Sequence, residues 1–250
     1  MKSSFVRSVS SAISVFAVSI FFITCNKSDN GGVNNTPVSG LMAFNLATDK
    51  AVSISLSGNS ITNLPLAFTS YTGNYLNIYS GNRLVQSFDF NSGNTIDSSS
   101  FHFEPQKYYS LFVTGTNGHY HNVIVNDNFD SLVSGQADIR CINAIPDSSS
   151  PVVSIIANGN NVINNNASFG SVSNVATVAA GDVTIQVNNG GTINKSRTIT
   201  LEPQKAYTVL LAGIPGSTGN DSLQIRYISN GTIQQKAQKT STQVGSANSN

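Results

Sequence analysis

Phe103-Glu-Pro-Gln-Lys-Tyr-Tyr-Ser-Leu-Phe-Val-Thr-Gly115 is one of two matching stretches in the chain, and Leu201-Glu-Pro-Gln-Lys-Ala-Tyr-Thr-Val-Leu-Leu-Ala-Gly213 is the other. Each has a proline two places after the opening apolar residue and a tyrosine six places after it. After the tyrosine, apolar residues occupy every second position, as in a strand with one buried face. The shared residues are Pro105, Tyr109, Pro203 and Tyr207.

This pattern indicates a strand, a tight corner and a second strand. Proline cannot donate to a β-ladder, so it ends the first strand. A tyrosine just after such a corner is typical of the tyrosine corner, in which the ring lies in the core and the hydroxyl bonds to upstream backbone. We therefore predict an all-β protein made of two tandem immunoglobulin-like β-sandwich domains with tyrosine corners.

The spacing between the two copies supports this division. Leu201 follows Phe103 by 98 residues, and Asn143 follows Asn45 by the same number. Each copy contains about seven alternating strand candidates separated by Gly and Asn turn signals, as expected of a sandwich. The predicted segments are 1–24 signal peptide, 25–38 flexible tether, 39–128 first domain, 129–136 linker, 137–230 second domain and 231–250 disordered tail. Because the linker is short, we expect the domains to sit end to end.

The first residues indicate export. Lys2 and Arg7 precede an apolar run of about a dozen residues, which is typical of a signal peptide and too short to span a bilayer. Cys25 follows directly, and this arrangement resembles the lipobox of bacterial lipoproteins, in which the cysteine is lipidated. Phe22 and Thr24 stand where lipoboxes usually have Leu and a small residue. The alternative is that Cys25 lies beyond an ordinary signal cleavage site.

Composition argues against some partners. Only 10% of residues are charged, and Lys+Arg 13 against Asp+Glu 12 leaves a formal net charge of +1. The sequence has no basic stripe to hold a phosphate backbone, so we expect no nucleic acid partner. Cys141, the other cysteine, lies in an alternating segment and is predicted to be a small buried hydrophobe.

The second copy resembles a bacterial family known as domain of unknown function 4397. The resemblance rests on four stretches, which are Ala137 to Asp147, Val153 to Gly159, Ala179 to Val187 and Leu201 to Gly213. The first copy joins the family through the internal repeat. The resemblance implies a secreted or surface-attached β-sandwich, often in tandem, with no catalytic residues to carry over.

Tyrosines are concentrated in the first copy, which holds six of the eight in the chain. Tyr75, Asn77 and Tyr79 share one face of a predicted strand. Rings beside amides suit sugar stacking or protein contact, so these three are the candidate ligand contacts. The alternative is that the tyrosines only pack the sheet, where the second copy uses smaller residues.

Other polar groups favour structural roles. His119 and His121 share a strand face but lack a third metal ligand other than His102, so we predict solvated histidines and no metal site. Asp127 to Asp130 lacks the Gly and Glu of a calcium loop. Asn45 and Asn143 recur at matched places and are predicted to bond local backbone.

The sequence contains no catalytic motif and implies no cofactor. We predict a non-enzymatic structural or protein-binding module of the bacterial cell envelope, anchored in the membrane through an N-terminal lipid, most simply the outer membrane. It would be periplasmic or surface-exposed, and its partners would be surface proteins. The alternative is a glycan-binding surface accessory protein that uses the aromatic residues of the first domain.

Overall fold

The computed structural model describes residues 36–129 and 132–232. The first eight strands are β1 (Val38–Ala47), β2 (Val52–Leu56), β3 (Asn59–Ser60), β4 (Leu76–Tyr79), β5 (Gly81–Asp89), β6 (Thr95–Phe103), β7 (Tyr108–Thr116) and β8 (His119–Asn126). The next eight are β9 (Gln136–Ala144), β10 (Val152–Ala157), β11 (Asn160–Asn166), β12 (Ala176–Ala179), β13 (Gly181–Asn188), β14 (Asn194–Leu201), β15 (Lys205–Ala212) and β16 (Gln224–Thr232). The predicted signal peptide, Cys25 and most of the predicted tether and tail lie outside the described residues.

The strands form four sheets, two in each half of the chain. In the first sandwich an inner sheet of order β4-β1-β7-β8 faces an outer sheet of order β3-β2-β5-β6. The second sandwich repeats this plan, with inner sheet β12-β9-β15-β16 and outer sheet β11-β10-β13-β14. The only helical element in the described residues is a 3₁₀ turn, Gly219–Asp221. The predicted all-β fold of two tandem sandwiches is confirmed.

The opening strand of each sandwich lies in the middle of its inner sheet. β1 runs parallel to β7, and β9 runs parallel to β15, while most other pairings are antiparallel. The strand order thus differs from that of an immunoglobulin constant domain, although the two-sheet architecture is shared. A strand in the middle of a sheet whose two faces are both covered must be apolar on both sides, and β1 is buried from Ser39 to Ala47.

Both tyrosine corners have the expected geometry. The Tyr109 hydroxyl accepts a hydrogen bond from the backbone N–H of Glu104 at 3.0 Å, and the Tyr207 hydroxyl accepts one from Glu202 at the same distance. Both rings are buried. The turn after each proline places a glutamine at positive φ, 61° at Gln106. The corner thus fixes the angle between the last outer strand and β7 or β15.

Tight turns set the register of the hairpins. Asn117 and Gly118 both have positive φ, 51° and 86°, between β7 and β8. Asn158 and Gly159 have 50° and 76° between β10 and β11. Two consecutive residues at positive φ make a type I′ turn, whose twist matches that of the paired strands.

Each sandwich has its own apolar core, and a third core lies between the two inner sheets. This third core consists of Met42, Phe44, Leu46, Phe112, Ile142, Ala144, Leu210 and Ala212. The sandwiches therefore pack face to face through their inner sheets, and the expectation that they sit end to end is wrong. A short linker limits the distance between the sandwiches but does not determine which surfaces meet. The contact is determined by the apolar faces of β1, β7, β9 and β15 that point away from their own sandwich cores.

Two strands were not predicted. β3 and β11 follow tight turns and are rich in Asn, which is depleted in strands, and neither alternates strongly. They form by pairing with β2 and β10. Within residues 36–129 and 132–232, no helix has the length and apolarity that a membrane crossing requires.

Candidate functional site

The structure separates the three predicted ligand contacts. Tyr75 lies just before β4, and its hydroxyl donates to Asp127 Oδ2 of the first sandwich at 2.5 Å and accepts from Asn230 Nδ2 of the second at 3.2 Å. Asn77 and Tyr79 lie on β4 itself and are exposed, with 62% of Tyr79 accessible. Asn77 and Tyr79 thus face solvent together, whereas Tyr75 is half-buried and lines a different cleft, of about 380 Å³.

These two residues line a cleft at the side of the first sandwich, between edge strand β4 and the short edge strand β3. The cleft has a volume of about 500 Å³. Leu56, Ile61 and Ile78 give it an apolar floor that is continuous with the core of the first sandwich. We call this the β3–β4 cleft; its lining residues are Val38, Leu56, Asn59, Ile61, Asn77, Ile78, Tyr79 and Arg83.

Arg83 lies beside the exposed aromatic ring of this cleft. Its Nε donates to the backbone oxygen of Tyr79 at 3.1 Å, and its Nη2 donates to that of Ser80 at 2.9 Å. Its guanidinium carbon lies 5.9 Å from the centre of the Tyr79 ring. At this distance the positive charge of Arg83 is attracted to the electron-rich face of the Tyr79 ring. The cleft thus combines an exposed aromatic ring, a cation and the amides of Asn59 and Asn77.

A buried ion pair links the two sandwiches. Arg140 on β9 of the second sandwich donates from Nη2 to Asp127 Oδ1 of the first at 2.5 Å, and their side chains are 2% and 0% exposed. Arg140 Nη2 also donates to Ser110 Oγ at 3.0 Å, and Ser110 Oγ donates to Asp127 Oδ2 at 2.7 Å. The guanidinium of Arg140 and the carboxylate of Asp127 thus each bond to a side chain of the opposite sandwich.

The same network closes on itself through the second sandwich. Arg140 Nε donates to Thr208 Oγ1 at 3.1 Å, and Thr208 donates to Asn230 Oδ1 at 2.6 Å. Asn230 Nδ2 then donates to the Tyr75 hydroxyl at 3.2 Å. Burial, and then the neighbouring Asp127 carboxylate, raise the pKa of Tyr75. The tyrosine is therefore a neutral donor in a ring of hydrogen bonds, which is a structural task.

The recurrent asparagines bond backbone. Asn45 Nδ2 donates to the carbonyl oxygens of Lys50 at 2.7 Å and Leu66 at 2.8 Å, and its Oδ1 accepts from Ala47 N at 2.9 Å. Asn143 repeats this in the second sandwich with Ala167 and Ile145. Both side chains are buried. Their bonding capacity is used to hold the chain where β1 and β9 end.

The polar groups weighed as metal ligands lie apart. His119 and His121 are exposed on β8, and His102 is exposed on β6 beside Asn82. Asp127 is engaged by Arg140, and Asp130 lies outside the described residues. In the part of the chain that the structure describes, no three His, Cys, Asp or Glu side chains group to hold a metal ion.

Sequence reasoning missed the residues that join the sandwiches. Arg140 sits in an apolar strand where a charge is unusual, and this was the available signal that it meets a buried partner. Asn230 carried no such signal, because it lies near the end of the last strand, where polar residues are common. Arg83 of the β3–β4 cleft carried none either, because it lies on a strand that alternates in the ordinary way. Burial raises the pKa of the Cys141 thiol to about 11, as a buried structural cysteine requires.

The sheet order and the separate cores define a tandem β-sandwich protein. The model of the family described as "Domain of unknown function (DUF4397)" matches the chain twice, over residues 39–150 and 142–249. The chain belongs to this family, and the tandem arrangement is confirmed. No curated protein matches the chain significantly.

Several solved structures share parts of the architecture. One is a family 26 carbohydrate-binding module of Amy13K from Eubacterium rectale in complex with maltoheptaose, at 13% identity and TM-score 0.23, covering 75% of this chain and 100% of that one. Another is a family 41 carbohydrate-binding module from streptococcal virulence factors, described for α-glucan recognition, at 11% identity and TM-score 0.21, covering 72% and 94%. A third is a suggested cell adhesion protein from Bacteroides uniformis, at 10% identity and TM-score 0.20, covering 76% and 97%. Likenesses at these TM-scores support no functional conclusion.

Proposed function

We propose that this protein is a non-enzymatic protein-binding module of a bacterial cell envelope, anchored in the outer membrane through lipidated Cys25. The observation that carries the proposal is the β3–β4 cleft on a rigid support. Because the third core and the buried ion pair unite the sandwiches, the cleft is held by one body of two domains. A binding site on rigid strands loses little entropy when a partner docks.

The cleft favours an extended protein segment as the partner. Within the described residues, β4 pairs only with β1, and β3 pairs only with β2. An open strand edge can accept one more strand by backbone hydrogen bonds. The apolar floor of Leu56, Ile61 and Ile78 would take alternate side chains of such a segment. Its backbone would give affinity, and the cleft would give specificity.

Site-specific photocrosslinking in living cells tests this proposal. A photoreactive phenylalanine analogue at Tyr79 is expected to give a discrete protein adduct of higher mass. Ala179, the exposed residue at the end of β12, is the matched control in the second sandwich, and the analogue there should give no adduct of that mass. Equal adducts from both positions, or none from Tyr79, would remove the cleft from the proposal.

Lipid anchoring has its own test. In the full chain, Cys25→Ser is expected to move the protein from the membrane fraction to the soluble periplasmic fraction. Mass spectrometry of the wild-type N-terminal peptide should show a diacylglyceryl group. A soluble wild-type protein with an unmodified Cys25 would favour ordinary signal cleavage and refute the anchor.

Glycan binding by the same cleft is the second candidate. It is favoured by the Tyr79 ring, which lies beside Arg83 and is 62% exposed, and by the amides of Asn59 and Asn77. Stacked rings with flanking amides suit a pyranose. On a glycan panel, Tyr79→Ala should then weaken binding at least about tenfold. Phe90→Ala, at a ring that is 52% exposed and lies outside the cleft, should leave binding unchanged; equal losses would reject this candidate.

A further inference from the structure

A second concave surface lies on the second sandwich, between the edge strands β14 and β16. It has a volume of about 590 Å³. A neighbouring cleft of about 520 Å³ shares Arg226 and Tyr227 with it and extends to Thr69 and Tyr71 of the first sandwich. Because they share two residues, we treat them as one groove that follows β16, and we call it the basic groove.

The groove concentrates positive charge. Lys195, Arg197 and Arg226 line the first part, which contains no acidic side chain. The extension adds Glu202, whose Oε2 accepts from Lys205 at 2.8 Å and is thereby partly neutralised. In a chain with 13 basic and 12 acidic residues, three cations in one groove are a local excess that the net charge conceals.

Comparison with the first sandwich shows that this charge is not a requirement of the fold. Counting 98 residues back from Lys195 on β14 leads to Asp97 on β6. Arg226 pairs with Leu210, and its counterpart Val123 pairs with Phe112 and packs against the third core. The second copy thus has cations where the first copy has an acid and an apolar residue.

The two arginine side chains of the groove are held in place. Arg197 Nη1 donates to the backbone oxygen of Ile225 at 2.6 Å, and its guanidinium carbon lies 5.1 Å from the centre of the Tyr227 ring. Arg226 Nε donates to Gln224 Oε1 at 2.7 Å. Lys195 and Arg226 are exposed. A ligand would therefore meet oriented donors, which lose less entropy than free side chains.

Sugar-compatible groups line the rest of the groove. The Tyr71 ring stacks on Phe44 with centroids 5.4 Å apart and planes 10° apart, 37% of Tyr71 is exposed, and the residue lines the extension of the groove. Hydroxyl and amide side chains also line the groove, beside the aliphatic Leu210, Leu223, Ile225 and Ile228; the polar ones are Thr69, Ser196, Thr200, Ser222, Gln224 and Ser229. These hydroxyl and amide groups can hydrogen-bond sugar hydroxyls.

We propose that the basic groove binds an acidic polysaccharide. Its carboxylates would pair with Lys195, Arg197 and Arg226, and a sugar ring would stack on Tyr71. Charge-assisted bonds from guanidinium to carboxylate are stronger than neutral ones, so the cations select an anionic over a neutral glycan. The groove lies mainly on the second sandwich, takes Tyr71 from the first, and does not depend on the β3–β4 cleft.

Binding of polygalacturonate, a linear polymer of uronic acids, tests the proposal by calorimetry. The full chain carrying Cys25→Ser is used, so that no acyl chain contributes. We expect saturable binding that weakens as salt rises, and no binding of the neutral polymer dextran. Arg226→Gln should weaken binding about tenfold. Lys107→Gln removes the same charge from an exposed site outside the groove and should change affinity less than about twofold.

Three results would overturn the assignment. They are absence of polygalacturonate binding by a folded protein, equal binding of dextran, and equal losses from Arg226→Gln and Lys107→Gln. Anionic lipid vesicles and a single-stranded oligonucleotide are run in parallel, and preference for either over polygalacturonate would also overturn it. Tyr79→Ala should leave polygalacturonate binding intact, which separates this site from the one proposed for the first sandwich.

Discussion

The two sandwiches present the same surface of the same strands to each other, yet the chemistry of the two surfaces differs. Met42 of β1 corresponds to Arg140 of β9, and Asp127 after β8 corresponds to Asn230 within β16. Serine and threonine occupy the matched places between them, Ser110 and Thr208. The interface is thus a symmetric apolar patch with one asymmetric ion pair.

This difference explains how two copies of one domain pack specifically against each other. Apolar contact alone would allow either surface to pack against a second copy of itself. A buried Arg–Asp pair adds little net stability, but it makes the wrong pairing costly, since like charges or unpaired groups would be buried. The pair therefore assigns each sandwich to the other.

A second exchange follows the same logic. In the first sandwich Gly40 pairs with Tyr108 across β1 and β7, and a Cβ on Gly40 would lie 2.4 Å from the Tyr108 ring. In the second sandwich Asp138 pairs with Ala206. A small residue thus faces a large one in one copy, and the sizes are reversed in the other. The Tyr108 ring therefore requires glycine at position 40, whereas the small Ala206 stands opposite a residue with a side chain.

The largest expected effect comes from breaking the ion pair. Asp127→Asn gives the first sandwich the residue of the second and leaves Arg140 buried without its counter-ion. We expect a loss of about 3 to 5 kcal/mol in the free energy of unfolding, measured by urea denaturation. Arg140→Met, which copies Met42, should cost a similar amount. The double variant should recover all but about 1 kcal/mol; additive losses would show that the two residues do not act as a pair.

The next largest effect concerns a glycine that stands at the matched position in each sandwich, where two backbone segments approach closely. A Cβ on Gly115 would lie 2.0 Å from the backbone oxygen of His119, and one on Gly213 would lie 2.2 Å from that of Ser222. Alanine at either position should cost about 3 kcal/mol or prevent folding. Gly118→Ala is the control, because its φ is +86° but nothing lies within 4 Å of its Cβ. It should cost about 1 kcal/mol. A tolerated Gly213→Ala would mean that β15 and β16 meet less closely than β7 and β8.

Cys141 of the second sandwich corresponds to Ala43 of the first, and its thiol should make the free energy of unfolding depend on pH. Burial holds the folded pKa at about 11, above the ordinary value of 9.0. The unfolded thiol therefore loses its proton first, so the free energy of unfolding falls as pH rises from about 9 to about 11, by about 2 kcal/mol. Urea denaturation at pH 8 and pH 10.5 measures the fall. Cys141→Ala, which copies the first sandwich, should reduce it; an unchanged fall would assign it to other groups.

The smallest expected effect is the same in both sandwiches. Tyr109→Phe and Tyr207→Phe each remove a hydroxyl that accepts one backbone N–H at 3.0 Å. Because that N–H belongs to an exposed glutamate and can turn to water, we expect a loss of about 1 kcal/mol each. Thermal and urea unfolding of both variants should agree within about 0.5 kcal/mol. A clear inequality would show that one corner supports its sandwich more than the other.

Local chemistry was readable in advance because it depends on neighbours in sequence. Proline, tyrosine and period-two apolar residues predicted the corners, and Asn-Gly pairs predicted tight hairpins at Asn117 and Asn158. Recurrence at a spacing of 98 residues predicted two domains. Strands without that local signal, β3 and β11, were missed because only pairing with a neighbour makes them strands.

One feature of the sequence indicated that each sandwich is covered on a second side, but it did not indicate by what. β1 is apolar on both faces, from Leu41 to Leu46, which is typical of a strand covered on two sides. A single sandwich covers only one side. The partner for the other side is chosen by which apolar sheets can meet, and a pattern along one strand does not contain that information.

The candidate sites show the same division. The sequence by itself determined that aromatic residues gather in the first copy and that the chain is built as two sandwiches. Only the tertiary structure decided that Tyr75 turns to a buried Asp127 while Tyr79 lines an open cleft, and that Lys195 and Arg226 share a groove. The physical reason is distance along the chain: Tyr75 and Asn230 meet across 155 residues, and such contacts follow from packing of whole sheets.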